Sequence, residues 1–255
     1  MSQSIPLVHG PMTEDVLHDI FASDQDMYPA PLTYPQLQGW TQACPELSVC
    51  FYPPQAPTQP DGGSDARSKP AGASIVLPLM ESYWRDLLVG KIRETDINAS
   101  KMLCSEGGAE HSVGLHVFHV ERYDDRVKGF AKSSLEHAVV AAQSKGWNIL
   151  GCSGGLQRFC TQWQRDLESR ADKTFASAAL TATPEGRRSF EKLGFRATGY
   201  QEIWVEVDAE IQLRTVTPGQ DREEVLTSIK ADSIKGEAAM SVRYTKKEPE
   251  DSQMP

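Results

Sequence analysis

Hydrophobic and polar positions along this chain change period in its middle, and the change is sharpest between residues 112 and 146. Residues 112–121, Ser-Val-Gly-Leu-His-Val-Phe-His-Val-Glu, are nearly continuously apolar and rich in β-branched and aromatic side chains. Such a run predicts a strand buried on both faces. Leu135, Ala138, Val139 and Ala142 then recur at i, i+3, i+4 and i+7, the apolar stripe of a helix, and Gly146 supplies its stop. Residues 126–131, between strand and helix, read Arg-Val-Lys-Gly-Phe-Ala. A strand that turns through glycine into a helix gathers backbone N–H groups at one spot, and the helix N-terminus there favours an anion. Gly129 lets a phosphate or pyrophosphate approach the backbone, Ala131 is too small to block it, and Arg126 and Lys128 add positive charge. Neither G-x-G-x-x-G nor G-K-[ST] occurs at the turn, so it is neither the dinucleotide fingerprint nor the P-loop.

The same patterning predicts elements on both sides. Residues 5–8 read as a first strand. Thr13 caps a helix carrying Val16, Leu17, Ile20 and Phe21, and residues 34–43 form a second, short helix. Residues 47–52 and 73–80 read as a strand hairpin across a loop, 53–71, rich in Pro, Gly, Ser and Asp. Residues 82–97 read as a helix with Trp84, Leu87, Leu88 and Ile92 inward, and residues 104–110 as a loop. Leu156, Phe159, Trp163 and Leu167 predict an extra helix within residues 148–174, ahead of the next strand at about 175–183. Thr183 then caps a helix with Pro184 in its first turn and Gly194 at its end, and residues 200–207 read as a strand. Beyond residue 210 the chain is charged and poor in aromatics, with a helix expected over 222–230 and disorder from 246.

Composition narrows the class. A length of 255 residues allows one large domain or two small ones, and 39% hydrophobic with 24% charged residues is ordinary for a soluble globular chain. No apolar run approaches the ~20 residues of a membrane-spanning helix, and the N-terminus lacks a signal-peptide pattern. Five cysteines without a C-x-x-C pair point to reduced thiols in the cytosol or nucleus and to no zinc site. A formal net charge of −9 argues against nucleic-acid binding.

Two of these segments resemble the GNAT superfamily of acyl-CoA-dependent N-acetyltransferases. Arg126, Gly129 and Ala131 meet that family's pyrophosphate pattern R/Q-x-x-G-x-G/A, and Glu191-Lys192-Leu193-Gly194-Phe195 stands where the family has E-K-L-G-F before a strand. The resemblance covers roughly residues 111–207 and implies an α/β fold with a mixed, splayed central sheet flanked by helices. On this reading residues 1–210 form one acetyltransferase domain, with the extra helix inserted after the phosphate-loop helix, and residues 211–255 are an extension. The resemblance further implies acetyl-CoA as co-substrate, an amine acceptor and no metal. It places the cofactor against Val120, Arg126, Val127, Lys128, Gly129, Phe130, Ala131 and Thr183. There are departures: Thr183 replaces the family's usual Asn, Gly186 its Ala, and Phe190 the Tyr that commonly reprotonates the departing thiolate. Tyr200 and Ser189 are the candidate substitutes for that acid.

Amide formation from a thioester needs a neutral amine, hence a base to take the ammonium proton. The strand before the turn offers His116, His119 and Glu121, and members of the family that acetylate arylalkylamines carry histidines on the corresponding strand. Alternation puts His116 on one face and His119 with Glu121 on the other, unless a bulge intervenes. The competing readings are hydrogen-bonded core histidines with a solvated Glu121, a GNAT-fold protein that binds acyl-CoA or a partner with little catalysis, and an α/β protein whose turn binds no nucleotide.

Overall fold

The buried apolar run forms β4 (Ser112–Arg122), and the sheet is built outward from it. The structure, a computed structural model, describes residues 7–27, 32–54, 69–124, 126–127, 130–156, 180–181, 196–227, 229–230 and 233–244. On one side of β4, the strands β1 (Val8–Pro11), β2 (Ser48–Tyr52) and β3 (Gly72–Met80) pair antiparallel in succession, ending with β3 against β4. On its other side β4 pairs in parallel with β5 (Asn148–Leu156). A parallel neighbour needs a crossover, and helix α5 (Phe130–Ser144) supplies it. Beyond β5 lie β6 (Leu180–Thr181), β9 (Ile234–Tyr244), β7 (Arg196–Val207) and β8 (Glu210–Val216), giving the order β1-β2-β3-β4-β5-β6-β9-β7-β8. The result is a mixed, mostly antiparallel sheet flanked by helices.

Helices cover both faces. On one, Phe130 of α5 meets Phe51 edge-on at 5.2 Å and lies directly over Gly72, where a Cβ would come within 2.4 Å of its ring. The buried stripe of α5 is Phe130, Ser134, Ala138 and Ala142, and three small side chains out of four let the helix lie close to the strands. The opposite face carries α1 (Glu14–Met27), α2 (Tyr34–Ala43), α3 (Glu81–Leu88) and the short α4 (Ala99–Met102). Trp84 of α3 lies flat over β4, so that a Cβ on Gly114 would fall 2.0 Å from its indole. Trp40 of α2 is fully buried, with its indole N–H donated to the Ile97 carbonyl at 2.9 Å. The helix α6 (Arg222–Leu226) follows β8, and its Val225 and Leu226 pack on a small core of Ile203, Val205 and Val216.

Several sequence expectations shift. The first strand begins at Val8 rather than ending there, because its register is set by pairing Val8 with Tyr52 and Pro11 with Val49. The helix expected over 82–97 ends at Leu88, since Gly90 turns to φ +76°, and a separate 3-10 turn forms at Glu94–Asp96. The strand after α5 is Asn148–Leu156, at the start of the stretch expected to hold an extra helix; Phe159, Trp163 and Leu167, which mark that helix, lie outside the described residues. The chain past residue 210 is not an appendage. β9 pairs with β5, β6 and β7 and so lies inside the sheet, where Ala238, Ala239, Met240 and Val242 are buried. The helix expected at 184–194, with Phe190, is also outside the described residues.

Two outcomes follow. A chain truncated after residue 210 should lose cooperative thermal unfolding by circular dichroism, because β7 would lose the ladder that joins it to β5. Gly114→Ala should cost about 1–3 kcal/mol in urea unfolding, since a rigid indole ring and not a flexible side-chain end occupies the space.

Candidate functional site

Two groups of residues lie beside β4, one at the turn into α5 and one on the face beneath α3. The turn is tightly braced. Tyr123 and Asp124 both donate their amides to the Ala71 carbonyl, and Arg122 donates to the Val127 carbonyl at 3.1 Å. Arg126 makes an ion pair with Asp124 at 2.8 Å and donates its own amide to the same carboxylate at 2.9 Å. That pairing holds the Asp124 carboxyl down at about 2 and offsets the positive charge that Arg126 would bring to a phosphate. The Val127 amide is also committed, to the Asp124 carbonyl at 3.1 Å. The side chains of Val127, Phe130 and Val120 are buried. A phosphate here would therefore meet the first-turn amides of α5, which have no partner within the helix. Lys128, Gly129 and Thr183 lie outside the described residues, as does the side chain of Ala131.

The second group depends on one irregularity. In the β3–β4 ladder Ile75 pairs with His119 but Val76 pairs with Val117, so Phe118 is an extra residue in β4. A bulge of this kind resets the alternation. His116 faces Leu77 in register and His119 faces Ile75, two residues away on β3, so both histidines and Glu121 come to one face. The bulge thus overturns the alternation that would put His116 opposite His119 and Glu121. Phe118 packs edge-on against Trp40 at 5.1 Å, and His119 lies 3.4 Å from the Glu121 carboxylate.

His116 is fully buried and both its ring nitrogens are engaged. Nδ1 is 3.1 Å from the Ser153 hydroxyl, directly across the parallel ladder, and Nε2 is 2.8 Å from a carboxylate oxygen of Glu94. Trp84 donates its indole N–H to the same Ser153 oxygen at 2.7 Å. Trp84 can only donate, and the hydrogen bonds are satisfied when Ser153 donates to His116 Nδ1 and the ring donates from Nε2 to Glu94. Ser153 and Trp84 are fully buried, whereas the Glu94 side chain is 23% exposed.

A neighbouring pair joins this group from β7. The Tyr200 hydroxyl donates to Glu202 at 2.5 Å, and both residues are buried. The Tyr200 ring occupies the space over Gly90, within 2.1 Å of where a Cβ would stand. Burial pushes the Glu202 carboxyl up to about 7; the Tyr200 hydrogen bond and Arg93 oppose that rise, and the negative charges of Glu94 and Asp96 add to it. Arg93 is itself paired with Asp96 at 3.0 Å.

The parallel pair also diverges here. Among the described residues its ladder runs from Ser112–Asn148 to Val117–Gly154, after which β4 continues to Arg122 along β3 while β5 pairs with β6 at Gly155 and Leu156. His116 and Ser153 are the last ladder position but one.

No family profile and no curated protein matches the sequence. Among solved structures, Arabidopsis thaliana NAA60 in complex with acetyl-CoA is similar at a TM-score of 0.44 and 13% identity, over 94% of this chain and 98% of that one. The same protein in complex with a bisubstrate analogue gives 0.45 and 12%, over 94% of this chain and 100% of that one. The NatC complex bound to Gag peptide and CoA gives 0.42 and 10%, over 94% of this chain and 99% of that one. These likenesses are weak in sequence and in superposition, and the functional reading stands on this chain's own residues.

Of the candidates named from sequence, His116, His119 and Glu121 come together on one face, while Val120, Val127 and Phe130 turn their side chains into the core. Glu94, Ser153 and Glu202 carry no signal in the sequence that marks them as members of the group. A histidine in an apolar strand signals that buried partners must exist, but nothing in the spacing names residues 22 positions before it and 37 after it.

Glu202 carries a pH signature. Its folded-state carboxyl is raised from 4.5 to about 7, so the folded state holds the proton more tightly. The stability this adds is fully present below 4.5 and is lost as pH rises through 7. The loss is of order 3 kcal/mol. Urea unfolding at about pH 5 and about pH 8 should show it in the natural protein, and Glu202→Gln should flatten the dependence.

Proposed function

We propose that this chain is a GNAT-like N-acetyltransferase that moves an acetyl group from acetyl-CoA to an amine by direct attack in a ternary complex. The observation that carries the reading is the unit formed by β4, the turn at residues 126–131 and α5, set on a parallel strand pair that diverges after Val117 and Gly154. The turn bears Arg126, Gly129 and Ala131 in the pyrophosphate pattern, and the helix N-terminus behind it favours a diphosphate. A thioester reaching from that turn along β4 arrives at the divergence, where strand amides are within reach of its carbonyl oxygen and can stabilise the tetrahedral oxyanion. The polar group around His116 lies beside the same point and supplies proton-transfer chemistry. The acceptor is an amine; its side of the site is formed by the helices and turns above His116.

A binding protein with little turnover is the second reading. Phe190 in place of the usual acid and the Arg126–Asp124 pair both favour it.

Calorimetric titration with acetyl-CoA tests the proposal. Micromolar binding that disappears in a folded Gly129→Glu variant is the expected result. Unchanged affinity in that variant would remove the phosphate site from the turn, and no binding by the natural protein would remove the enzyme.

A further inference from the structure

The proton that must leave the acceptor amine needs a receiving group, and the buried chain on β4 restricts which one it is. His116 has no surface in contact with solvent, and both its nitrogens already serve Ser153 and Glu94. Ser153 is equally buried and is held from the other side by Trp84. Glu202 is buried and receives the Tyr200 hydroxyl. Glu94 is different. One of its oxygens is fixed by His116 at 2.8 Å, while the side chain remains 23% exposed, so the carboxylate is both oriented and reachable. The adjacent cation does not compensate it, because Arg93 is engaged by Asp96 through two contacts at 3.0 and 3.2 Å. Its surroundings are His116 from β4, Arg93 and Asp96 from its own turn, and Tyr200 and Glu202 from β7.

We propose that Glu94, rather than His116, takes the proton from the acceptor ammonium, with His116 and Ser153 behind it as positioning residues; this rests on the acetyl-transfer reading above. The ammonium gives one proton to the Glu94 carboxylate. The neutral amine's lone pair forms the C–N bond at the thioester carbonyl carbon, the C–S bond breaks, and the sulfur leaves with its electron pair. The second amine proton ends on that thiolate, giving the free thiol, and Glu94 returns its proton to water through its exposed edge. His116 donates to Glu94 throughout. The chain from Trp84 through Ser153 holds the ring so that the proton-bearing Nε2 faces the carboxylate.

The test uses two nucleophiles of different protonation with the full chain and acetyl-CoA, reading thiol release. n-Butylamine is an ammonium at neutral pH and needs the base, whereas hydroxylamine is already neutral and does not. Glu94→Gln should lower kcat/KM for n-butylamine about 100-fold and leave hydroxylamine within about threefold, with calorimetric affinity for acetyl-CoA unchanged. Glu94→Asp, which keeps the carboxylate, should recover part of the n-butylamine rate and guards against a folding defect, checked by thermal melting. Equal losses with both nucleophiles, or no loss with n-butylamine, overturn the assignment. Binding of acetyl-CoA by the natural protein without thiol release to either nucleophile also overturns it and leaves the cofactor site standing. Absence of acetyl-CoA binding removes the parent reading as well.

Discussion

β4 has two neighbours of opposite direction, and the rest of the molecule follows from accommodating both. Toward β3 its hydrogen bonds follow the antiparallel pattern, and toward β5 the slanted parallel one. The parallel side requires α5 as a crossover, and the helix requires the braced turn at Asp124, Arg126 and Val127. The antiparallel side absorbs one extra residue at Phe118. The bulge and the divergence of the parallel pair fall at the same level of the sheet, one on each edge of β4. A strand that bends there brings side chains to one face and opens backbone on the other edge, which suits a site better than a regular strand would.

The polar chain under α3 is held against a considerable penalty. Burying a hydroxyl, an imidazole and a carboxylate in an apolar face costs several kcal/mol unless each finds a partner. Here every member has one, from Trp84 through Ser153 and His116 to Glu94. Satisfied networks of this kind rigidify a core, and removal of any one member strands the others. Gly114 and Gly151 keep room for the Trp84 indole at the closed end of the chain, so the packing of α3 and the orientation of His116 are one arrangement.

At the turn into α5 the positive charge is smaller than the residue types suggest. Arg126 is a cation by sequence but is neutralised by Asp124 two residues earlier, and the Val127 amide is used within the turn. What remains for an anion is the N-terminus of a fifteen-residue helix whose first side chain, Phe130, is anchored in the core. Anion binding there would draw on backbone dipoles more than on side-chain charge.

The amino-acid pattern alone determined the strand at 112–121, the helix after it, the strand hairpin at 47–52 and 73–80 and the turn between β4 and α5, because each is written in local periodicity and in its own stop residues. The boundaries of α2 and the stop at Gly146, with φ +79°, follow from the same local rules. Tertiary structure alone decided the rest. Residues 82–97 have a helical stripe, but the helix ends at Leu88, and Gly90 turns to φ +76° where the Tyr200 ring leaves no room for a Cβ. Residues 148–156 are too polar and too glycine-rich to announce a strand, yet they become one because β4 and β9 present edges on either side. Residues 234–244 look like part of a charged tail until pairing with three strands buries Ala238, Ala239, Met240 and Val242. The joining of Glu94, His116, Ser153 and Glu202 is of the same kind. Hydrogen bonds between groups tens of residues apart leave no periodic trace in the chain, and a one-residue bulge decides which face a histidine meets.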